Sequence, residues 1–207
     1  GTSIQTEEVV DGITYLFNPT SKTNLIPYTD VFNFSSLEKY QENSVRVIMK
    51  KSEDTKPAII HSYSQGMSKE HQLMTHYHGE DPLESSSYVT AENLWKLADH
   101  SSKEVDVAQI YDAFSPMIPF SLEAYNFCGK GEALKLINDG LIDINGEIPV
   151  NTSGGSLSEV YLHGMNLVTE AVKQIRGTAI SQVKNAKLAL VTTCDATPNA
   201  AILLKGE

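Results

Sequence analysis

The last fifty residues constrain the fold of this chain most strongly, because a helical pattern there is followed by two short apolar runs. Between residues 161 and 176, apolar side chains recur at positions 161, 165, 168, 172 and 175, which is the spacing of an amphipathic helix. Gly177 follows, at a position typical of a helix C-terminus. The runs LALVTT (188–193) and AAILL (200–204) predict two buried strands, joined by a tight hairpin through CDATPN.

The same alternation extends toward the N-terminus. Short apolar or β-branched runs predict strands at 44–50, 57–63, 106–111 and 148–151. Apolar residues at helical spacing predict a helix with Thr90 as its N-cap, and two more within 116–128 and 132–138. Helices that alternate with buried strands indicate an α/β fold built in layers.

The first part of the chain gives no such pattern. Residues 1–43 contain scattered aromatic residues and turn formers, so an irregular N-terminal segment is predicted, with a remnant of a longer chain as one interpretation. Residues 44–207 are predicted to form one domain, which is long enough to bury a sizeable core. The sequence contains no apolar run of about 18 residues, as a membrane span requires, and no signal-peptide pattern at its start.

Charge and cysteine content narrow the setting in which the protein acts. The formal net charge of −10 argues against nonspecific binding to nucleic acid, which requires clustered Lys and Arg. The two cysteines, Cys128 and Cys194, do not have the spacing of a disulfide framework. This usage favours the cytoplasm or another reducing compartment. Cys128 is expected on the side of a helix that faces the core.

A polar stretch before the first predicted helix collects histidines. His61, His71, His76 and His78 lie near Glu80 and Asp81, and a His-x-His pair can chelate a metal. The spacing matches no zinc motif, however, and polar loops accumulate histidines by chance. The favoured interpretation is a solvated loop, and no metal site is predicted.

The stretch NTSGGSLSEVYLHGMN (151–166) is the strongest candidate for a functional site. Gly154 and Gly155 let the backbone approach another group closely, and N–H groups at a following helix start favour negative charge. Tyr161 would present its hydroxyl above this turn. Because tyrosine has an ordinary pKa of about 10, it is a better proton donor than acceptor unless its anion is stabilised.

Four motifs together resemble the C-terminal half of the thiolase superfamily, and most of all the thiolase-like lipid-transfer proteins related to sterol carrier protein X. The motifs are VDVAQIYDAF, FCGKGEA, IPVNTSGG and YLHGMN, and the resemblance extends over residues 104–204. It implies a mixed five-stranded sheet with helices on both faces.

The departures from the family pattern are as informative as the matches. Tyr161 lies where thiolases have the His of a Gly-His-Pro motif, and Tyr111 lies where they have Asn or His. Val160 replaces the usual Gly. The nucleophilic Cys of the N-terminal thiolase half has no counterpart in this chain, whereas Cys194 lies at the position of the family's acid/base cysteine.

Relatives in this superfamily include aldolases that act on acyl-CoA thioesters of steroid side chains. The resemblance therefore implies retro-aldol cleavage of a β-hydroxyacyl-CoA, with Tyr161 as base and Tyr111 as acid, although the sequence does not fix which tyrosine has which role. Coenzyme A would be part of the substrate, and no separate cofactor is expected. The supporting residues would be Asp112, Asn151, Gly154, Gly155 and His163. Asp112 would either orient a reacting group or cap the turn. His163 would have a surface or indirect role.

Two other functions remain open from the sequence. A catalytically inert acyl-CoA- or lipid-binding subunit is one, and a thiolase-type acyltransferase using Cys194 is the other. In each case the resemblance implies a partner that supplies the missing N-terminal thiolase half, either a longer chain or a second subunit. An OB-fold, zinc-ribbon protein and a homo-oligomer are further expected partners.

Overall fold

A computed structural model describes residues 6–10, 13–17, 26–27, 56–68, 85–159, 162–195 and 198–206. The chain divides into two compact units, Gly1–Ser52 and Glu53–Glu207. The predicted strand at 44–50 and the predicted domain boundary after residue 43 lie outside the described residues.

The first unit contains three short strands, where an irregular N-terminal segment was predicted. They are β1 (Thr6–Val10), β2 (Ile13–Phe17) and β3 (Ile26–Pro27). Neighbouring strands pair antiparallel in the order β1-β2-β3, with Val10 opposite Ile13.

The second unit contains a mixed sheet. Its strands are β4 (Ala58–Gly66), β5 (Val107–Ile110), β6 (Leu188–Thr192) and β7 (Asn199–Gly206). Their order is β4-β7-β6-β5, in which β5 and β6 are parallel and β7 is antiparallel to both of its neighbours. The strands predicted at 57–63, 106–111, 188–193 and 200–204 are confirmed with small shifts in their bounds.

The predicted fifth strand, at 148–151, is reduced to a single parallel bridge between Ala108 and Val150, so the described residues contain four strands in this sheet. Pro149 has no N–H to donate, although its carbonyl accepts from Ala108 N at 2.9 Å. The backbone of Asn151 then turns to a φ of 50°, which ends the extended conformation.

Five α-helices accompany the described part of this sheet, with a short 3₁₀ helix at Ser102–Glu104. They are α1 (Ser86–Leu97), α2 (Met117–Ala124), α3 (Ala133–Asn138), α4 (Gly155–Ser158) and α5 (Met165–Arg176). Among the described residues, no helix combines the length and the apolar character needed to cross a membrane.

Two helix starts differ from the predictions. Ser85, not Thr90, is the N-cap of α1, because the Ser85 hydroxyl accepts a hydrogen bond from Ser87 N; Thr90 lies one turn inside the helix and donates to Ser86 O. The last long helix starts at Met165 rather than at 161, because His163 and Gly164 have φ values of 49° and 85° that a helix does not accept. It ends at Gly177, as predicted.

The sheet separates two apolar cores, which explains why its central strands are apolar at successive positions. On one face, Ile110 and Leu190 pack with residues of α1 and α2 such as Leu94 and Leu122. On the other face, Val107, Ala189 and Leu204 pack against Leu167 and Ala171 of α5. Each fully buried leucine contributes roughly 1.5–3 kcal/mol. A mixed sheet with helices on both faces is therefore confirmed.

Candidate active site

The end of β5 and the turn that follows residue 150 are joined by an asparagine side chain. Asn151 Oδ1 accepts a hydrogen bond from Ile110 N at 2.7 Å, and Asn151 Nδ2 donates to Ile110 O at 2.9 Å. One amide group therefore makes both bonds that a neighbouring strand would make to Ile110. This pairing positions the turn directly beside the strand end that leads into Tyr111.

The glycine turn packs against two of the predicted site residues. A Cβ atom on Gly155 would lie 2.3 Å from Asp112 Oδ2 and 2.7 Å from Asn151 Nδ2, and both contacts are too short for a real Cβ atom. Gly155 also has a φ of 69°, in the left-handed region. Close approach of the backbone, which the paired glycines predicted, is thus made here to the protein's own side chains.

Asp112 is buried and binds the first turn of α4. Its Oδ1 accepts a hydrogen bond from Ser156 N at 2.6 Å, and its Oδ2 lies 3.5 Å from Leu157 N. A carboxylate at this place satisfies N–H groups that have no partner within the helix. The sequence left two roles open for Asp112, and these contacts are those of a residue that caps the turn.

Tyr111 and His163 line the same pocket, which has a volume of about 180 Å³. The Tyr111 ring lies so close to Gly164 that a Cβ atom there would be 2.9 Å from Tyr111 Cδ2. Tyr111 is half-buried and His163 is exposed. The other walls are largely apolar and come from α5, β6 and β7: Met165, Val168, Val191, Thr192, Thr193, Ala200, Ala201 and Ile202.

The second candidate tyrosine, Tyr161, lies outside the described residues, as does Val160. Its assignment as a base therefore stays a prediction. His163 and Gly164, which follow it in the sequence, line the pocket.

Cys194 is a free, half-buried thiol on the connection between β6 and β7. Burial raises the pKa of the Cys194 thiol, and the adjacent Asp195 carboxylate raises it further. Both effects reduce the thiolate that acid/base or nucleophilic chemistry needs. Thr193, the residue before it, lines the pocket.

A buried polar cluster that the sequence analysis missed holds the connection around Cys194. The Asp195 carboxylate accepts hydrogen bonds from the hydroxyls of Ser85 and Ser87 at the start of α1. Tyr125 donates to Asn199 Oδ1 at 2.8 Å, and Asn199 Nδ2 donates to Cys194 O at 2.9 Å. Burial and the Asp195 charge raise the pKa of Tyr125, which keeps its hydroxyl a donor. The partners of Asp195 and of Tyr125 are 74 to 110 residues apart from them, so no local pattern predicts these bonds.

No group of three His, Cys, Asp or Glu residues within the described ranges is placed to hold a metal ion. His71, His76, His78, Glu80 and Asp81 lie outside those ranges. The His61 ring instead lies edge-on to His100, with 5.0 Å between the ring centroids.

We expect Cys128 to react slowly with alkylating reagents. Burial raises the pKa of its thiol to about 11, with further contributions from Glu123 and Glu132, against an ordinary value of 9.0. At pH 8, Cys128 therefore has about one hundredth of the thiolate of an unperturbed cysteine, and its labelling by iodoacetamide should be slower by about that factor. Mass spectrometry of the labelled peptide measures the rate, and the same protein unfolded in denaturant is the control. Labelling at the unfolded rate would contradict the expectation.

The chain belongs to the thiolase C-terminal domain-like family, whose sequence profile matches residues 66–203. This finding confirms the resemblance that the four motifs indicated. The chain is 37% identical over 151 residues to the 17-hydroxy-3-oxo-4-pregnene-20-carboxyl-CoA lyase of Mycobacterium tuberculosis, with 72% of this chain and 39% of that protein aligned. It is 34% identical over 152 residues to the steroid side-chain-cleaving aldolase of Thermomonospora curvata, with coverage of 73% and 39%.

Among solved structures, the chain is similar to the Ltp2-ChsH2(DUF35) aldolase. The TM-score is 0.71 and the sequence identity is 33%, over 73% of this chain and 40% of that one. The chain therefore spans about 40% of the length of these relatives.

Proposed function

We propose that the chain provides the C-terminal half of an aldolase that cleaves a carbon–carbon bond in a β-hydroxyacyl-CoA, with a steroid or lipid side chain as the acyl group. The observation that carries this proposal is the placement of Tyr111 and His163 on one pocket at the end of β5. Two relatives, one named as a lyase at 37% identity and one named as an aldolase at 34% identity, support the same reaction class.

In the proposed reaction, Tyr161 is in its phenolate form and removes the proton from the β-hydroxyl group; at the end of the cycle, solvent carries this proton to Tyr111. The bond between the α and β carbons then breaks, and the β carbon becomes a carbonyl carbon. The electron pair of the broken bond moves into a thioester enolate. Tyr111 then donates a proton to the α carbon. Because tyrosine has an ordinary pKa of about 10, it is protonated at neutral pH and suits the donor role.

In this proposal, one backbone N–H group of the glycine turn stabilises the enolate oxygen. Gly154 N already donates to Asn151 O at 2.8 Å, and Ser156 N donates to Asp112 Oδ1. The N–H of Gly155 is thus the donor of this turn that we assign to the enolate oxygen. Such donors contribute most when they are fixed before the reaction begins.

The proposal includes a partner. The solved aldolase to which the chain is similar carries two protein names, Ltp2 and ChsH2(DUF35). We infer that this chain acts with a second subunit or chain half, and an OB-fold, zinc-ribbon protein and a second copy of the chain are the candidates.

The test is to co-purify the chain with its partner and incubate the complex with a series of β-hydroxyacyl-CoA thioesters. Mass spectrometry should detect a ketone or aldehyde and a shortened acyl-CoA in equal amounts. Tight acyl-CoA binding without products would instead support an inert binding subunit. Exchange of labelled acetyl-CoA that stops when Cys194 is alkylated would support an acyltransferase.

A further inference from the structure

Four polar side chains join β5, the glycine turn and α5. At their centre, Thr152 Oγ1 accepts hydrogen bonds from Gln109 Nε2 and Gln174 Nε2, both at 2.9 Å, and donates to Glu170 Oε1 at 2.7 Å. We refer to Gln109, Thr152, Glu170 and Gln174 as the Thr152 network. Because one hydroxyl makes three hydrogen bonds, this single atom connects all three elements.

The network is costly to disturb, because its outer members are almost fully buried. Gln109, Glu170 and Gln174 expose 0%, 5% and 1% of their surfaces. Glu170 has no ion pair within the described part of the chain, and its Oε1 is bonded only to Thr152 and Gln174. Removing the Thr152 hydroxyl would leave a buried carboxylate with fewer donors and two buried amides with fewer acceptors.

The place of the network relates it directly to the candidate active site. Gln109 and Tyr111 are two residues apart at the end of β5, so their side chains lie on the same side of the sheet. The helix that holds Glu170 and Gln174 begins after Gly164, against which the Tyr111 ring packs. Any shift of α5 along β5 would therefore change the distance from Tyr111 to the corner at His163 and Gly164.

Gln174 also fixes the far end of α5. Its Nε2 donates to Ser181 O at 2.7 Å, and its Oε1 accepts from Val183 N at 2.8 Å. The helix is thus attached at its C-terminal end to the segment before β6 and in its middle to the turn at Thr152. Its N-terminal end borders the pocket, and the bond from Thr152 to Glu170 is the attachment of the network that lies nearest to this end.

We propose that Thr152 is a positioning residue, which sets the spacing between Tyr111 and the corner at His163 and Gly164 through Gln109, Glu170 and Gln174. Its catalytic consequence rests on the proposed aldolase function, whereas the positioning itself does not. Geometric errors of about 1 Å lower catalytic rates by up to about a hundredfold, so a small displacement is sufficient to be measured.

The test compares Thr152→Val, which keeps the shape and removes all three hydrogen bonds, with Thr152→Ser, which keeps the hydroxyl. Gln109→Met is a milder variant, because it removes one donor together with Gln109 Oε1, a buried acceptor that has no partner among the described residues. Leu94→Ala, in the core on the opposite face of the sheet, is the control for a general loss of stability. All variants are studied in the full complex by steady-state kinetics, thermal unfolding and amide hydrogen exchange.

We expect Thr152→Val to lower kcat by about 10- to 100-fold with KM changed less than about threefold. It should also speed amide exchange of residues 151–159 and 165–168 at least about tenfold beyond Leu94→Ala. Thr152→Ser should restore both values, and Gln109→Met should fall between.

Equal local exchange and equal kcat in Thr152→Val and the Leu94→Ala control would overturn the proposal. If the wild-type complex cleaves no substrate, the aldolase function fails, and the exchange data alone decide whether Thr152 positions the corner. If Thr152→Val does not fold, Gln109→Met with unchanged local exchange overturns the proposal.

Discussion

Replacing Tyr111 by Phe is expected to lower kcat by about 100- to 10,000-fold, which is the range that one proton-transfer group contributes. The substitution removes only the hydroxyl, so the ring still packs against Gly164 and the backbone bond from Tyr111 N to Thr192 O remains. Steady-state cleavage of the best thioester from the substrate series measures the effect. The melting temperature should change by less than about 3 °C.

A matched control for this substitution is Tyr63→Phe on β4. Tyr63 is 72% exposed, so loss of its hydroxyl should leave both kcat and stability unchanged. If Tyr111→Phe keeps kcat within twofold of wild type, Tyr111 is a packing residue of the pocket wall and donates no proton.

Gly155→Ala is expected to be the most disruptive single substitution in the turn. Its Cβ would be 2.3 Å from the buried Asp112 carboxylate, and the φ of 69° adds strain for any residue with a side chain. The two effects together should cost about 2–5 kcal/mol, which corresponds to a melting temperature lower by about 10 °C. Activity should be lost as well, because Asp112 and Asn151 must move to make room.

Gly177→Ala separates these two effects. Gly177 has a similar φ of 73°, but, apart from its neighbours along the chain, no atom of the described residues lies within 4 Å of the position that its Cβ would take. This control should show only the backbone strain, about 1–2 kcal/mol, and normal activity. Equal melting temperatures for the two variants would show that the close contact at Gly155 is relieved without cost.

The four strands of the mixed sheet and the family were predictable from the sequence because they depend on local composition and on motifs. The runs at 188–193 and 200–204 became β6 and β7, since a strand buried on both faces is apolar at every position. The start of α5 was not predictable in this way. The apolar stripe continues back to position 161, whereas the left-handed conformations of His163 and Gly164 begin the helix at Met165.

Part of the candidate site was also predictable. The family motifs placed Tyr111, Asp112, Asn151 and Gly155 in one group, and the structure brings the last three into contact. The Thr152 network was not anticipated, because a glutamate on an amphipathic helix is normally expected in solvent. Glu170 is buried beside Gln174 of the same helix, and the tertiary fold brings the Thr152 hydroxyl to its carboxylate.

The asparagine that pairs with Ile110 also has a consequence for self-association. An open strand edge is a template on which another chain can add a strand and begin to aggregate. Along the outer side of β5, Ala108 is paired with Pro149 and with the backbone of Asn151, and Ile110 is paired with the Asn151 amide. This edge is therefore closed by a short stretch of backbone and one side chain, where a full neighbouring strand would otherwise be needed. The chain is free to leave the sheet there and form the turn without exposing a surface on which fibres can grow.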